Sequence, residues 1–252
     1  MTLNFAEFTQ KMRAGATPTE QDLLDIITAG PGATFALVEF AAEYRRTYFR
    51  NTVEVVNLLG ASGSLPETGE PVGAVVNVGD GESAEQLAAS LAKAGGDDST
   101  GRVIVNFLVP TPEQDAPGAA DLTPMQCLRV LAAARLAAPA KSLRVGEGRR
   151  VHLRSLQSLA MHVIDSMYLS DYRESEAAAV FEDLKLIQGA GLQVIGAEQR
   201  DLAADYVSYL RGEGVEDAQA YADTILGEDE PDAASGGGCG GNCACGSGGC
   251  GA

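Results

Sequence analysis

Residues 102–109 read Arg-Val-Ile-Val-Asn-Phe-Leu-Val, and Pro110 and Pro112 stop the run. A short apolar segment rich in β-branched and aromatic residues predicts a buried strand, and proline cannot donate to a sheet ladder. Thr123 and Pro124 then open a helical run to about Ala137, with Pro in the first turn, where a missing N–H costs nothing. Ser142–Val145 is a further short strand. Strand, long helix and strand in succession predict a parallel α/β unit.

The alternation extends in both directions. Upstream, Thr52–Leu59 (TVEVVNLL) and Val72–Val78 predict strands, and Ala84–Ala94 a helix closed by Gly95-Gly96. Downstream follow a helix over about 151–163, a short strand near 165–169, a helix over 174–188 and a last strand at 192–195. Residues 3–49 read as helices. Thr19 is placed to cap the first turn of Glu20–Ile27, and Gly30-Pro31-Gly32 breaks it. The next helix carries Phe35, Leu37, Val38, Ala41, Ala42 and Tyr44, and ends on Arg45-Arg46, where basic charge suits the helix dipole. The predicted organisation is helices over 1–51, an α/β body over 52–198, acidic helices over 199–227 and a disordered Gly/Cys-rich tail over 228–252.

Composition narrows the function classes. The chain has 252 residues, 45% hydrophobic and 21% charged, which is ordinary for a globular protein. Its 35 acidic against 18 basic residues argue against binding nucleic acid, where phosphates must be neutralised by Lys and Arg. No apolar window is long enough for a membrane span. The first residues, MTLNFAEFTQKMRAG, lack a basic stretch followed by an apolar core, so a cytoplasmic location is expected.

The cysteines are unevenly placed. Four of five, Cys239, Cys243, Cys245 and Cys250, sit in GGGCGGNCACGSGGCGA. Four thiolates separated by small residues can wrap zinc, Cu(I) or an iron–sulfur cluster. The opposing reading is a low-complexity tail whose cysteines are incidental, or paired as disulfides that a cytoplasmic setting disfavours. Cys127 shares a helix face with Val130 and Leu131 and reads as a small buried hydrophobe. His152 and His162 are the only histidines. On one continuous helix they stand about 15 Å apart, too far to share a metal.

Three further positions are candidates for binding a ligand. Gly79-Asp80-Gly81-Glu82 either cradles an anionic group at a helix N-terminus or forms a plain strand-to-helix turn, with Glu82 facing the helix dipole. Asn106, polar within an apolar strand, either binds a ligand or ties down a loop. Arg144 either binds an anion or a cluster, or is a surface or interface arginine at a strand end.

Four blocks, taken in order, resemble a known family: Tyr48–Val55 (YFRNTVEV), Gly79–Ser83 (GDGES), Val105–Pro112 (VNFLVPTP) and Leu143–Arg149 (LRVGEGR). The chain resembles biotin synthase, a radical S-adenosylmethionine enzyme on an eight-stranded α/β barrel. The resemblance spans roughly residues 20–196. It implies that Gly79, Gly81 and Glu82 lie by an S-adenosylmethionine site and Asn106 near a substrate. It also implies that Arg144 matches an arginine ligand of an auxiliary iron–sulfur cluster. The family's radical cluster needs Cys-x3-Cys-x2-Cys after the first strand; here that loop reads GSLPETG over 63–69. The family's second to fifth strands, with the remaining auxiliary-cluster cysteines, have no counterpart. With four or five strands, the expected fold is an incomplete, open barrel-like parallel sheet.

Two functions follow. One is a non-catalytic accessory protein that holds a metal or cluster on its tail and acts with biotin synthase or iron–sulfur and sulfur-insertion machinery, or as a homo-oligomer. The other is an enzyme that binds S-adenosylmethionine or a biotin precursor at Gly81, Asn106 and Arg144 and performs non-radical chemistry, for which the sequence offers no nucleophile, acid–base pair or metal triad.

Overall fold

A computed structural model describes residues 4–56, 73–110, 118, 121–171 and 177–227. Residues 57–59 of the strand expected over 52–59, the 63–69 loop and the tail with Cys239, Cys243, Cys245 and Cys250 lie outside the described residues.

Three helices come first: α1 (Phe5–Arg13), α2 (Glu20–Ile27) and α3 (Thr34–Phe49). They lead into β1 (Thr52–Val56), β2 (Ala74–Val78), α4 (Ala84–Gly96), β3 (Arg102–Phe107), α5 (Pro124–Ala137) and β4 (Ser142–Val145). The chain continues through α6 (Arg149–Leu153), α7 (Gln157–Met161), β5 (Ser166–Tyr168), α8 (Ala177–Gly189), β6 (Gln193–Val194), α9 (Leu202–Gly212) and α10 (Ala218–Leu226). The six described strands form one sheet in the order β2-β3-β4-β5-β1-β6, and every pairing is parallel. That corrects the expected count of four or five. The sixth strand is a two-residue bridge that the sequence left ambiguous. β2 and β6 lie at the two edges, so the sheet is open, as expected of an incomplete barrel.

Helix starts follow local chemistry. α2, α4 and α5 each open on a reciprocal capping box: Thr19 with Asp22, Ser83 with Gln86, and Thr123 with Gln126. Each box satisfies amides that the first turn leaves unpaired. The helix expected over 151–163 is instead broken at Arg154, whose φ of +49° ends α6, and a 3-10 turn leads into α7. The two histidines therefore do not share one helix. His152 is buried with Nε2 2.9 Å from the Leu108 carbonyl, and His162 is exposed.

The helices cover one face of the sheet. Val76, Val105, Val145, Met167 and Val55, neighbours across five strands, are all buried there. α5 packs against α2, α3 and α4, and its residues from Cys127 to Ala137 are buried. A fully buried leucine such as Leu131 contributes about 2 kcal/mol. Arg129 ties α5 to the N-terminal helices, donating to the Ile27 carbonyl and to Thr34 Oγ1, each at 3.0 Å. At the N-terminal edge of the sheet, Arg45 Nε donates to the Ile164 carbonyl (3.0 Å), and Arg135 pairs with Asp165, which also accepts from the Leu143 amide (2.7 Å). Residues of α9 and α10 (Tyr206, Val207, Leu210, Ala218, Ala222) join the same hydrophobic core. No single helix among the described residues is long and apolar enough to cross a membrane.

Candidate functional site on the open sheet face

Side chains on a strand alternate between faces. The residues opposite the buried apolar row are therefore fixed by the same register. They form a row Val75–Ile104–Arg144–Ser166–Glu54 across five strands, flanked by the pairs Asn77–Asn106 and Val56–Tyr168 on one side and Arg102–Ser142 on the other. Parallel sheets are usually covered by helices on both faces and read as continuous apolar runs. Here the second face is polar, and Val75 and Asn77 at its edge are exposed.

Arg144 lies at the centre of this face. Its side chain is 1% exposed, so Arg144 is not on the surface. Nε donates to Ser166 Oγ (2.9 Å), Nη1 to Tyr168 Oη (3.2 Å) and Nη2 to Glu54 Oε2 (3.1 Å), and the guanidinium sits 5.0 Å from the Tyr168 ring centroid. Glu54 also accepts from Ser166 Oγ (2.7 Å) and pairs with Arg102 (2.8 Å). Two guanidiniums thus share one carboxylate. The register is the cause, since it sets Glu54 and Arg144 on either side of Ser166.

The other candidates gather at the C-terminal rim, the edge at which parallel α/β sheets bind ligands. Asn106 Nδ2 donates to Asn77 Oδ1 (3.0 Å), and Asn106 Oδ1 accepts from the Glu147 amide (3.2 Å). Asn106 thus ties down the loop after β4. Gly146 makes this possible, because a Cβ there would stand 2.0 Å from Asn106 Oδ1. Gly148, at φ +79°, lets the same loop pass the Phe107 carbonyl, which a Cβ would meet at 1.8 Å. In the turn after β2, Gly79 and Gly81 take positive φ. Glu82 accepts from the Gly79 amide (2.9 Å) and the Asp80 amide (2.8 Å), so the chain's own carboxylate fills the cradle.

Glu54, Arg102, Ser166, Tyr168 and Asn77 were missed by the sequence reading. The available signal was Glu54 standing between Val53 and Val55, a charge at an alternate position of an apolar strand. Burial pushes the Cys127 thiol in α5 up to about 12, outside nucleophilic use, as its helix face implied. Among the described residues, no three of His, Cys, Asp and Glu converge as metal ligands.

Comparison with known proteins gives the family context. Residues 105–193, from β3 to β6, match the model of the Biotin and Thiamin Synthesis associated domain. The chain is 36% identical to biotin synthase of Nocardioides sp. over 154 residues, 60% of this chain and 39% of that protein. It is 46% identical to biotin synthase of Kocuria rhizophila over 95 residues, 38% of this chain and 20% of that protein. It is 41% identical to biotin synthase of Saccharopolyspora erythraea over 125 residues, 49% of this chain and 34% of that protein. The chain is biotin-synthase-like, and it spans well under half the length of these curated relatives.

Proposed function

We propose that this biotin-synthase-like chain is a non-catalytic accessory protein. It binds a metal ion or iron–sulfur cluster through Cys239, Cys243, Cys245 and Cys250, and acts with a radical or sulfur-insertion enzyme such as biotin synthase. The observation that carries the reading is the distribution of thiolates. The family implies iron–sulfur clusters and S-adenosylmethionine, and cluster iron is held by thiolates. Cys127 is the only cysteine before residue 239, and it is buried on the helix-covered side with its thiol protonated. The one candidate cluster ligand in the body, Arg144, has its guanidinium engaged by Glu54, Ser166 and Tyr168. The residues of the body do not fit either family cluster, and no radical step is assigned to it.

Anaerobic reconstitution with ferrous iron and sulfide tests the reading. The full chain is expected to take up iron and gain visible charge-transfer absorbance. A chain ending at Pro231, and a variant with all four tail cysteines changed to Ser, are expected to do neither. Equal iron in the shortened chain, or none in the full chain, sinks the proposal.

The alternative is an enzyme that binds S-adenosylmethionine or a biotin precursor at the rim. It draws support from the close fit of Asn106 over Gly146, which organises polar groups where such sheets bind ligands. Calorimetric titration with S-adenosylmethionine and with dethiobiotin separates the two, since the accessory reading expects no heat from either.

A further inference from the structure

The resemblance to biotin synthase implies that Arg144 ligates a cluster, and its surroundings in this chain point elsewhere. We infer that Arg144 is a structural strut, the centre of an ion lattice with Glu54, Arg102, Ser166 and Tyr168 that holds an open sheet in shape.

The connectivity supports this role. Arg144 is on β4, Ser166 and Tyr168 on β5, Glu54 on β1 and Arg102 on β3. The lattice therefore joins four adjacent strands through side chains, in addition to their backbone ladders. It crosses long sequence gaps, 90 residues for Arg144–Glu54, 112 for Ser166–Glu54 and 48 for Arg102–Glu54. A barrel of this kind closes with eight strands, so that each strand is clamped by two neighbours all the way round. Among the described residues the sheet ends at β2 and β6 without closing, and bonds between side chains on its polar face resist splaying of β1 away from β3. A guanidinium acting as a ligand also has to present a nitrogen lone pair to iron. Arg144 instead uses Nε, Nη1 and Nη2 as hydrogen-bond donors to Ser166, Tyr168 and Glu54, so each of these nitrogens is turned to a protein oxygen.

Arg144 and Arg102 are buried while Glu54 is half-buried, so removing the shared carboxylate leaves buried charge without compensation, whereas removing both partners of a pair costs less. The test is a thermal unfolding cycle on the full chain with Glu54→Gln, Arg144→Met and the double variant, together with Tyr168→Phe, which removes one hydroxyl and leaves the fold within reach. Glu54→Gln strands two guanidiniums and is expected to lower Tm by about 6–12 °C. Arg144→Met is expected to lower it less, the double variant to fall well short of the sum, and Tyr168→Phe to cost a few degrees. Additive shifts, or no shift in Glu54→Gln, overturn the inference. The same variants are reconstituted anaerobically with ferrous iron and sulfide. Iron per chain is expected to be unchanged in Arg144→Met, and its loss while far-UV circular dichroism stays native overturns the inference. If the wild-type chain takes up no iron, the proposed tail function fails, and the unfolding cycle alone decides the role of Arg144.

Discussion

At the scale of single residues, burial decides chemistry that residue type leaves open. Cysteine is a nucleophile or a small hydrophobe according to its surroundings, and Cys127 has none of its side chain in water. Its thiol ionises near 9.0 when unfolded and only at about 12 when folded. The folded state therefore holds the proton more tightly, and the unfolded state gains free energy from ionising as pH rises through 9 toward 12. Stability is expected to fall faster over that range in the wild type than in Cys127→Ala, as measured by urea unfolding at pH 8 and pH 10.5. Equal losses in the two proteins would refute the assignment. The apolar neighbours of Cys127 on its helix face made this much legible in the sequence. Arg144 was not legible in the same way. Its sequence neighbours Val145 and Gly146 suggest a strand end, and only the positions of Glu54, Ser166 and Tyr168 make it a buried, paired group.

At the scale of elements, the strongest signals were punctuation. Thr19, Ser83 and Thr123 all cap their helices through boxes whose partners stand three residues apart. Thr123→Ala removes the acceptor for the Gln126 amide and is expected to cost about 1 kcal/mol in chemical unfolding. No measurable change would mean that α5 is held by packing alone. Gly148 is the sharper case. It sits at φ +79° against the Phe107 carbonyl, so Gly148→Ala is expected to cost more than about 1 kcal/mol and to loosen the loop that Asn106 holds. Faster amide exchange at Glu147 would report that loosening. Sequence reasoning erred on α6 and α7. A pattern continuous enough for one helix is cut at Arg154, and the Leu108 carbonyl that takes His152 Nε2 belongs to a segment 44 residues earlier. Local periodicity carries no record of such a partner.

At the scale of the molecule, the sheet and the C-terminal helices share one core. Phe181 of α8 is fully buried, and its ring meets Tyr206 of α9 edge-on at 5.2 Å between centroids. Phe181→Ala is expected to cost about 3–5 kcal/mol and to raise hydrogen exchange in α9 as well as α8. Exchange confined to α8 would show that the acidic helices are stabilised separately. The sequence by itself determined the starts of α2, α4 and α5, the parallel α/β class, the near-absence of cysteine from the body and the clustering of cysteines over 239–250, since these depend on composition and on patterns a few residues long. Only the tertiary structure decided that β6 bridges to β1, that Glu82 fills its own loop and that five polar residues on four strands form one ion lattice. The physical reason is range. The lattice rests on the pairing order of strands far apart in the chain, and a period-2 pattern gives each strand two faces without saying which strand lies beside it.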